Sequence, residues 1–214
     1  MSPFNPRVRS ERMSGQIAIA LYRIAQAIQL MLRRAGQAHG LSPAQVQALL
    51  FLAYARPGVR TIGGLAQRLQ ATMATASEVA DALERKGLVA REPLPEDRRT
   101  VTLRLTVAGR RRVAALERLL DDLEEAVEAL SPSDQEALHR ALQQIVRRLA
   151  ASGAIVSGAI VVYEMCWGCA FFRPYAHPEN PAAPHHCAFM DAPLRDADTY
   201  TECPDFIPRE EVPA

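Results

Sequence analysis

Four cysteines, Cys166, Cys169, Cys187 and Cys203, are the side chains of this 214-residue chain best suited to hold an inorganic group, and the first 165 residues contain none. Their spacing is C-x2-C, seventeen residues, a lone cysteine, fifteen residues, and the last cysteine. Four thiolates from one short segment can complete a tetrahedral zinc shell or hold an iron–sulfur cluster. Structural zinc usually takes its ligands as two close pairs, and only the first pair is close here. His186, beside Cys187, could make a second pair, which keeps zinc open. The surroundings favour a cluster. Trp167, Phe171, Phe172, Phe189, Tyr200 and Phe206 fall in this segment, half of the chain's twelve aromatics, and a cluster needs walls that limit solvent and oxidant. The loop "RPYAHPENPAAPHH" between the second and third cysteines holds four prolines, which stiffen it and lower its closure entropy. His177 and His185 read as surface residues or as donors behind the ligands, and His39 and His139 as ordinary helix residues.

Free or disulfide-forming thiols are the third option, and the compartment bears on it. The start, "MSPFNPRVRSERMSGQ", carries arginines without an apolar stretch that would mark it for export. The apolar run at residues 154–163 is shorter than the ~20 residues a bilayer span needs. The expectation is a cytoplasmic protein with no membrane partner, where clustered thiols favour metal over disulfide. No Ser/His/Asp arrangement, phosphate-cradling glycine loop or H-E-x-x-H is present, so no enzyme is expected.

The elements that must position these thiols precede them. "GQIAIALYRIAQAIQLMLRR" places Ile17, Leu21, Ile24, Ala25, Ile28 and Leu32 on one helical face. "LSPAQVQALLFLAYA" opens with Ser42 as N-cap, Pro43 at the first helical position and Gln45 completing a capping box. Pro57-Gly58 ends it. A short helix capped by Thr61 follows. After a tight connection at Gln70-Ala71, Thr72 caps another helix, with Ala76, Val79, Ala80 and Leu83 inward and Gly87 closing it. "LVARE" and "TVTLRLT" bracket a polar, Pro-containing tip and predict a hairpin. A long helix with Val113, Leu116, Leu120, Leu123 and Val127 inside comes next, then one capped by Ser131.

Two short helices joined by a tight turn and followed at once by a hairpin make a winged helix-turn-helix, whose second helix can enter a major groove. Charge agrees with a polyanionic partner: residues 1–112 hold eighteen basic against seven acidic side chains, and residues 113–214 hold seven against seventeen. The stretch "LERKGLV" (83–89), "EDRRT" (96–100) and "LT-x-x-G" (105–109) resembles the DNA-binding core of the MarR family of transcriptional regulators, over roughly residues 14–150. That resemblance implies a homodimer, joined through the first and the last two helices, that reads a pseudo-palindromic double-stranded DNA operator. The terminal helices carry apolar faces wider than one small lobe can bury, which independently suggests pairing. In a two-fold dimer the recognition helices would lie about 34 Å apart.

One departure stands out. Family recognition helices often carry Arg at the positions of Met73 and Glu78. The groove-facing set is then Thr72, Met73, Thr75, Ser77 and Glu78, and phosphate affinity falls to Arg60, Arg68, Arg91, Arg98, Arg99 and the helix N-terminus. A second resemblance concerns the thiols. C-x2-C-x-F at 166–171, Cys187 with Phe189 close behind, and C-x2-F at 203–206 are similar to the binding segment of high-potential iron–sulfur proteins, which implies a 4Fe–4S cluster. The Gly-aromatic pair usual before the last cysteine is Thr201-Glu202 here, so their redox range does not carry over.

The expected fold class is mainly α: a winged helix-turn-helix with long dimerisation helices, plus a small loop-rich metal-binding C-terminal extension. The expected parts are an arm (1–13), a winged-helix and dimerisation domain (14–152) and the cysteine-rich extension (153–214). The expected function is DNA-binding regulation modulated by the four-cysteine centre. Two alternatives stay open: a regulator of the same type with structural zinc and small-ligand sensing, and an iron–sulfur electron-transfer or accessory protein.

Overall fold

The start and stop signals of the sequence become hydrogen bonds in the computed structural model, which describes residues 2–93, 101–154, 166–200, 203, 205–207 and 209. A short α1 (Pro6–Ser10), which the sequence pattern does not reveal, leads into α2 (Met13–Gln37). At the start of α3 (Pro43–Tyr54) the Gln45 N–H donates to the Ser42 hydroxyl and the Ser42 N–H to the Gln45 side chain. This reciprocal box satisfies two donors that have no partner within the helix. Val46, Ala48, Leu49, Phe51 and Leu52 are all buried, so α3 is apolar around most of its circumference and lies at the centre of the core.

Around α3 pack α2, α4 (Ile62–Leu69), α5 (Met73–Arg85), α6 (Val107–Leu116) and the strand β2 (Val101–Leu105). Gly64 permits one of these approaches: a β-carbon there would lie 2.0 Å from the Val59 carbonyl oxygen. The family-like motifs now have physical causes. In "LERKGLV", Gly87 takes φ 67° and Leu88 N–H donates to Leu83 O at 3.0 Å, which closes α5 with a Schellman turn. In "LT-x-x-G", the Thr106 hydroxyl caps α6 by accepting from Gly109 N–H. Gly109 packs so closely that a β-carbon would come 2.0 Å from the Leu88 carbonyl oxygen.

β1 (Val89–Pro93) and β2 form the expected antiparallel hairpin, with Val89 opposite Leu105 and Pro93 opposite Val101. Its tip, with Arg98 and Arg99, lies outside the described residues. The base of this wing is tied to the start of α4, because Leu103 N–H donates to Arg60 O at 2.6 Å and Thr61 bridges Thr102.

The long helix expected after the wing divides instead into α6, a 3-10 turn (Glu117–Leu120) and α7 (Asp121–Glu128). Val113 and Leu116 are buried as expected, but Leu120 is exposed and Leu123 and Val127 are only half-buried. Leu116 is the last fully buried residue of this stretch and Leu119 the last packed against the core, so the apolar side chains beyond them find little to bury against among the described residues. The same holds for α2, where Ile17, Ile24 and Leu30 are exposed, and for Leu138 and Leu149 on α8 (Pro132–Ala151). By length and composition alone α2 could cross a membrane, but its buried Leu32 joins the core around α3.

All but the first residue of the apolar run at residues 154–163 lie outside the described residues. Beyond it, β3 (Phe172–Arg173), β4 (His185–Cys187) and β5 (Ala192–Leu194) form a small antiparallel sheet in that order.

Candidate nucleic-acid interface and candidate metal centre

The N-terminal end of α5 is open to solvent. Thr72, Met73, Thr75 and Glu78 are exposed and Ser77 is half-buried. The Thr72 hydroxyl accepts from Thr75 N–H at 3.1 Å and lies 3.0 Å from the Thr75 hydroxyl. The helix therefore starts with its first turn held by a side-chain cap and its neighbouring groups free to meet a ligand, a geometry suited to anions and base edges.

The arginines expected on phosphate are placed less uniformly. Arg68 is half-buried in the last turn of α4. Arg60 is turned inward, with its Nε donating to Ala55 O at 2.6 Å, and burial lowers its pKa. It caps carbonyls at the end of α3 rather than standing out toward solvent. Arg91 pairs with Asp81 at 2.5 Å and Glu84 at 3.0 Å, both on α5, so its charge braces the wing against that helix. Arg98 and Arg99 lie outside the described residues.

The four thiols come together. Cys166, Cys169, Cys187 and Cys203 are all buried and free, and they line one small cavity of about 10 Å³. Cys169 N–H donates to Cys166 O, which folds C-x2-C into a tight turn, and pairing of β3 with β4 sets Phe172 opposite Cys187. Phe171, Phe172, Phe189 and Leu194 supply apolar wall, with buried Phe206 packed in the same cluster. Trp167 stacks edge-on against Phe172, ring centres 5.0 Å apart. Tyr200, expected among these aromatics, has a described backbone only.

The histidines depart from expectation. His185 is completely buried, accepting from Tyr175 N–H at its Nδ1 and bonded through Nε2 to Asp196 at 2.6 Å. It anchors the small sheet and is not a surface residue. His186, on the same strand, faces the other way, toward His177 at 3.1 Å, and does not line the cavity. Strand alternation explains this, since its neighbours His185 and Cys187 both point inward.

One wall of the cavity comes from the winged helix. Arg56, directly after α3, is 3 % exposed, and its Nη1 donates to Cys187 Sγ at 3.4 Å. Its Nη2 lies 3.6 Å from Asp205. Among the described residues its Nε and Nη2 have no hydrogen-bond partner. Burial works against the charged form, but Cys203, Cys187 and Asp205 outweigh it and raise the guanidinium pKa. A second contact lies beside it, with Met190 packed so closely that a β-carbon on Gly58 would fall 2.8 Å from its methyl. The sequence reading missed Arg56. Its signal was a lone cation at the end of "VQALLFLAYAR", a position that also suits a charge on a helix C-terminus.

Burial pushes the Cys166 thiol up to about 12 and the Cys203 thiol up to about 11, with Arg56 opposing both. These thiols hold their protons at neutral pH, and a metal centre must displace them. Among the described residues no group of three or more His, Cys, Asp or Glu side chains is arranged around a point that one metal ion could take. Zinc needs all its sulfurs about 2.3 Å from one centre. The thiols line their cavity beside guanidinium nitrogens that have no hydrogen-bond partner among the described residues. Four buried thiols beside one guanidinium are donors that either zinc or an iron–sulfur cluster would use.

The comparisons with known proteins bear on the first part of the chain. Residues 39–100 match the model of the MarR family. These residues span α3, α4, α5 and β1 of the winged helix. The HTH-type transcriptional repressor MdtR of Bacillus subtilis is 29% identical over 100 residues, 47% of this chain and 63% of that protein. The match thus spans less than two thirds of its length. A MarR family transcription regulator of known structure superposes with TM-score 0.59 at 21% identity, covering 70% of this chain and 99% of that one. The MepR–DNA complex of Staphylococcus aureus gives TM-score 0.55 at 24% identity, covering 62% and 97%. A MarR family protein from Bacillus stearothermophilus gives 0.53 at 25%, covering 65% and 97%. Each of these structures is covered almost completely, while about a third of this chain lies outside the match.

Proposed function

We propose that the chain is a cytoplasmic, homodimeric, sequence-specific DNA-binding regulator whose operator affinity is set by the state of its four-cysteine centre, an iron–sulfur cluster of the 4Fe–4S type. The observation that carries this reading is the seam. The cavity lined by four buried thiols is closed by a residue of the MarR-type winged helix, so whatever occupies it touches the DNA-binding unit. The relatives support the DNA half: MepR is described in complex with DNA and MdtR as a transcriptional repressor. The exposed apolar residues of α2 and α8 support pairing of two copies. Cys166, Cys169, Cys187 and Cys203 would hold the cluster, and Phe171, Phe172 and Phe189 would limit access of water and oxidant. When bound, such a group supplies a charge that changes on electron transfer or cluster loss.

The test uses anaerobically purified full-length protein. We expect brown protein with four iron and four acid-labile sulfide per chain, and affinity for operator duplex that changes at least fivefold when the cluster is removed. Colourless protein with one zinc, or affinity indifferent to the centre, overturns the reading.

A second reading has its own observation. A cavity of about 400 Å³ lies between α3, β2 and α6, lined by Tyr54, Arg60, Arg104, Arg110 and Glu117 among others. Three guanidinium-bearing residues beside apolar wall suit an organic anion, so small-ligand sensing there, with zinc at the thiols, is the competing account.

A further inference from the structure

We propose that Arg56 is the coupling residue between the four-thiol cavity and the winged helix, serving as counterion to an anionic thiolate centre on one side and as anchor of the α3–α4 junction on the other; this rests on the cluster reading above. The cavity face comes first. Arg56 is fully charged and almost wholly buried, yet among the described residues only its Nη1 makes a hydrogen bond, to Cys187 Sγ. Burying a guanidinium without partners is unfavourable. The nearest carboxylate, Asp205, stands 3.6 Å away and comes from the same extension. With the thiols protonated, Asp205 is the formal anion at hand. With the four sulfurs ligated as thiolates, the cavity becomes the larger counter-charge. Arg56 is therefore better satisfied when the centre is present.

The junction face follows from chain order. Arg56 sits between the buried end of α3 and the 3-10 turn Pro57–Val59. The Val59 carbonyl packs on Gly64 in α4, Thr61 caps α4, and the Arg60 carbonyl accepts from the wing at Leu103. Within five residues the backbone from Arg56 has reached the wing and α4, the helix that leads into α5. Because α3 is held on all sides, a change in what Arg56 faces is taken up in this junction. The Met190–Gly58 contact fixes the same turn from the extension side. Arg56 touches the cavity but reads no base, so its role is one of positioning.

The experiment compares wild type, Arg56→Met and Arg56→Lys, each reconstituted anaerobically with ferrous iron and sulfide. Binding is measured on duplexes enriched from a random library by the loaded and by the cluster-free protein. Iron and sulfide content, the midpoint potential of the centre and the ratio of loaded to cluster-free affinity are read for each. We expect a wild-type ratio at least fivefold from unity. Arg56→Met should keep the cluster, bring the ratio within twofold of unity and lower the potential, since a positive charge beside the centre favours the reduced form. Arg56→Lys should hold the potential near wild type. An Arg56→Met protein with the wild-type ratio and potential overturns the proposal, as does a wild-type ratio of one. Wild type that takes up no iron and sulfide removes the cluster reading itself, and the coupling with it. Should Arg56→Met fail to fold or load, hydrogen exchange on wild type decides. Amides of residues 58–65 must differ in protection between loaded and cluster-free protein, and equal protection overturns the coupling.

Discussion

Single atoms decide several of these contacts, which makes them measurable. Gly109 is the sharpest case, because a methyl added there meets the Leu88 carbonyl oxygen at 2.0 Å and backbone must move. Gly109→Ala is expected to lower stability by about 1–3 kcal/mol, read as a lower urea midpoint with unchanged slope. Thr72 offers a milder test. Its hydroxyl is the cap of α5, and Thr72→Ala should cost about 1 kcal/mol while also weakening DNA binding, since the same residue stands at the exposed helix N-terminus. A variant as stable as wild type would show that the cap contributes little. Thr61, Thr72 and Ser42 were legible in the sequence, because caps act through their immediate neighbours, whereas Gly109 entered only as part of the LT-x-x-G resemblance and meets Leu88 from a distance along the chain. Arg56 was not legible. Its partners Cys187 and Asp205 are more than 130 residues away, and no local pattern announces a contact of that range.

Elements differ in how far the sequence reveals them. α3, α4, α5 and the hairpin follow from apolar period, caps and turn residues, all short-range signals. The division of the helix after the wing does not, because its apolar stripe continues past Leu116 although the core beneath it stops. The extension lies between these cases. Its ligand spacing was plain, but the small sheet that turns His186 away from the thiols and buries His185 depends on strand pairing across residues 172–194. This element carries its own pH prediction. Burial raises Cys166 from an ordinary 9.0 to about 12 and Cys203 from 9.0 to about 11. Between those limits the folded extension binds more protons than the unfolded one, so stability falls as pH rises. Below pH 9.0 both states are protonated and the contribution is fully present. Trp167 is the chain's one tryptophan, so its fluorescence reports on the extension. In cluster-free protein its unfolding midpoint should drop steadily from about pH 9 toward 12, and a flat profile would mean that the thiols are not buried as described.

For the whole molecule the opposing charges of the two halves would set the conditions of the proposed DNA contact. The basic residues concentrate in the part that carries the winged helix, and the acidic residues follow it. The exposed face of α5 is unusual in this setting, since Met73 and Glu78 bring no positive charge to the groove and Glu78 faces solvent where phosphate would approach. Arg60 and Arg91 are engaged with the protein itself. Under the proposed function, affinity then rests on the cap of α5 and on Arg98 and Arg99, contacts expected mostly on backbone phosphates, which carry little sequence information. A dimer making about three such contacts per subunit neutralises about six phosphates, and its affinity should fall on the order of 10³-fold between 50 and 200 mM salt. Glu78→Gln should tighten binding across all sequences by removing repulsion, while Met73→Ala should alter preference among sequences more than overall strength. Fluorescence anisotropy over a salt series measures both. Binding that ignores salt would place the affinity in direct base contacts, and the charge asymmetry of the chain would then need another cause.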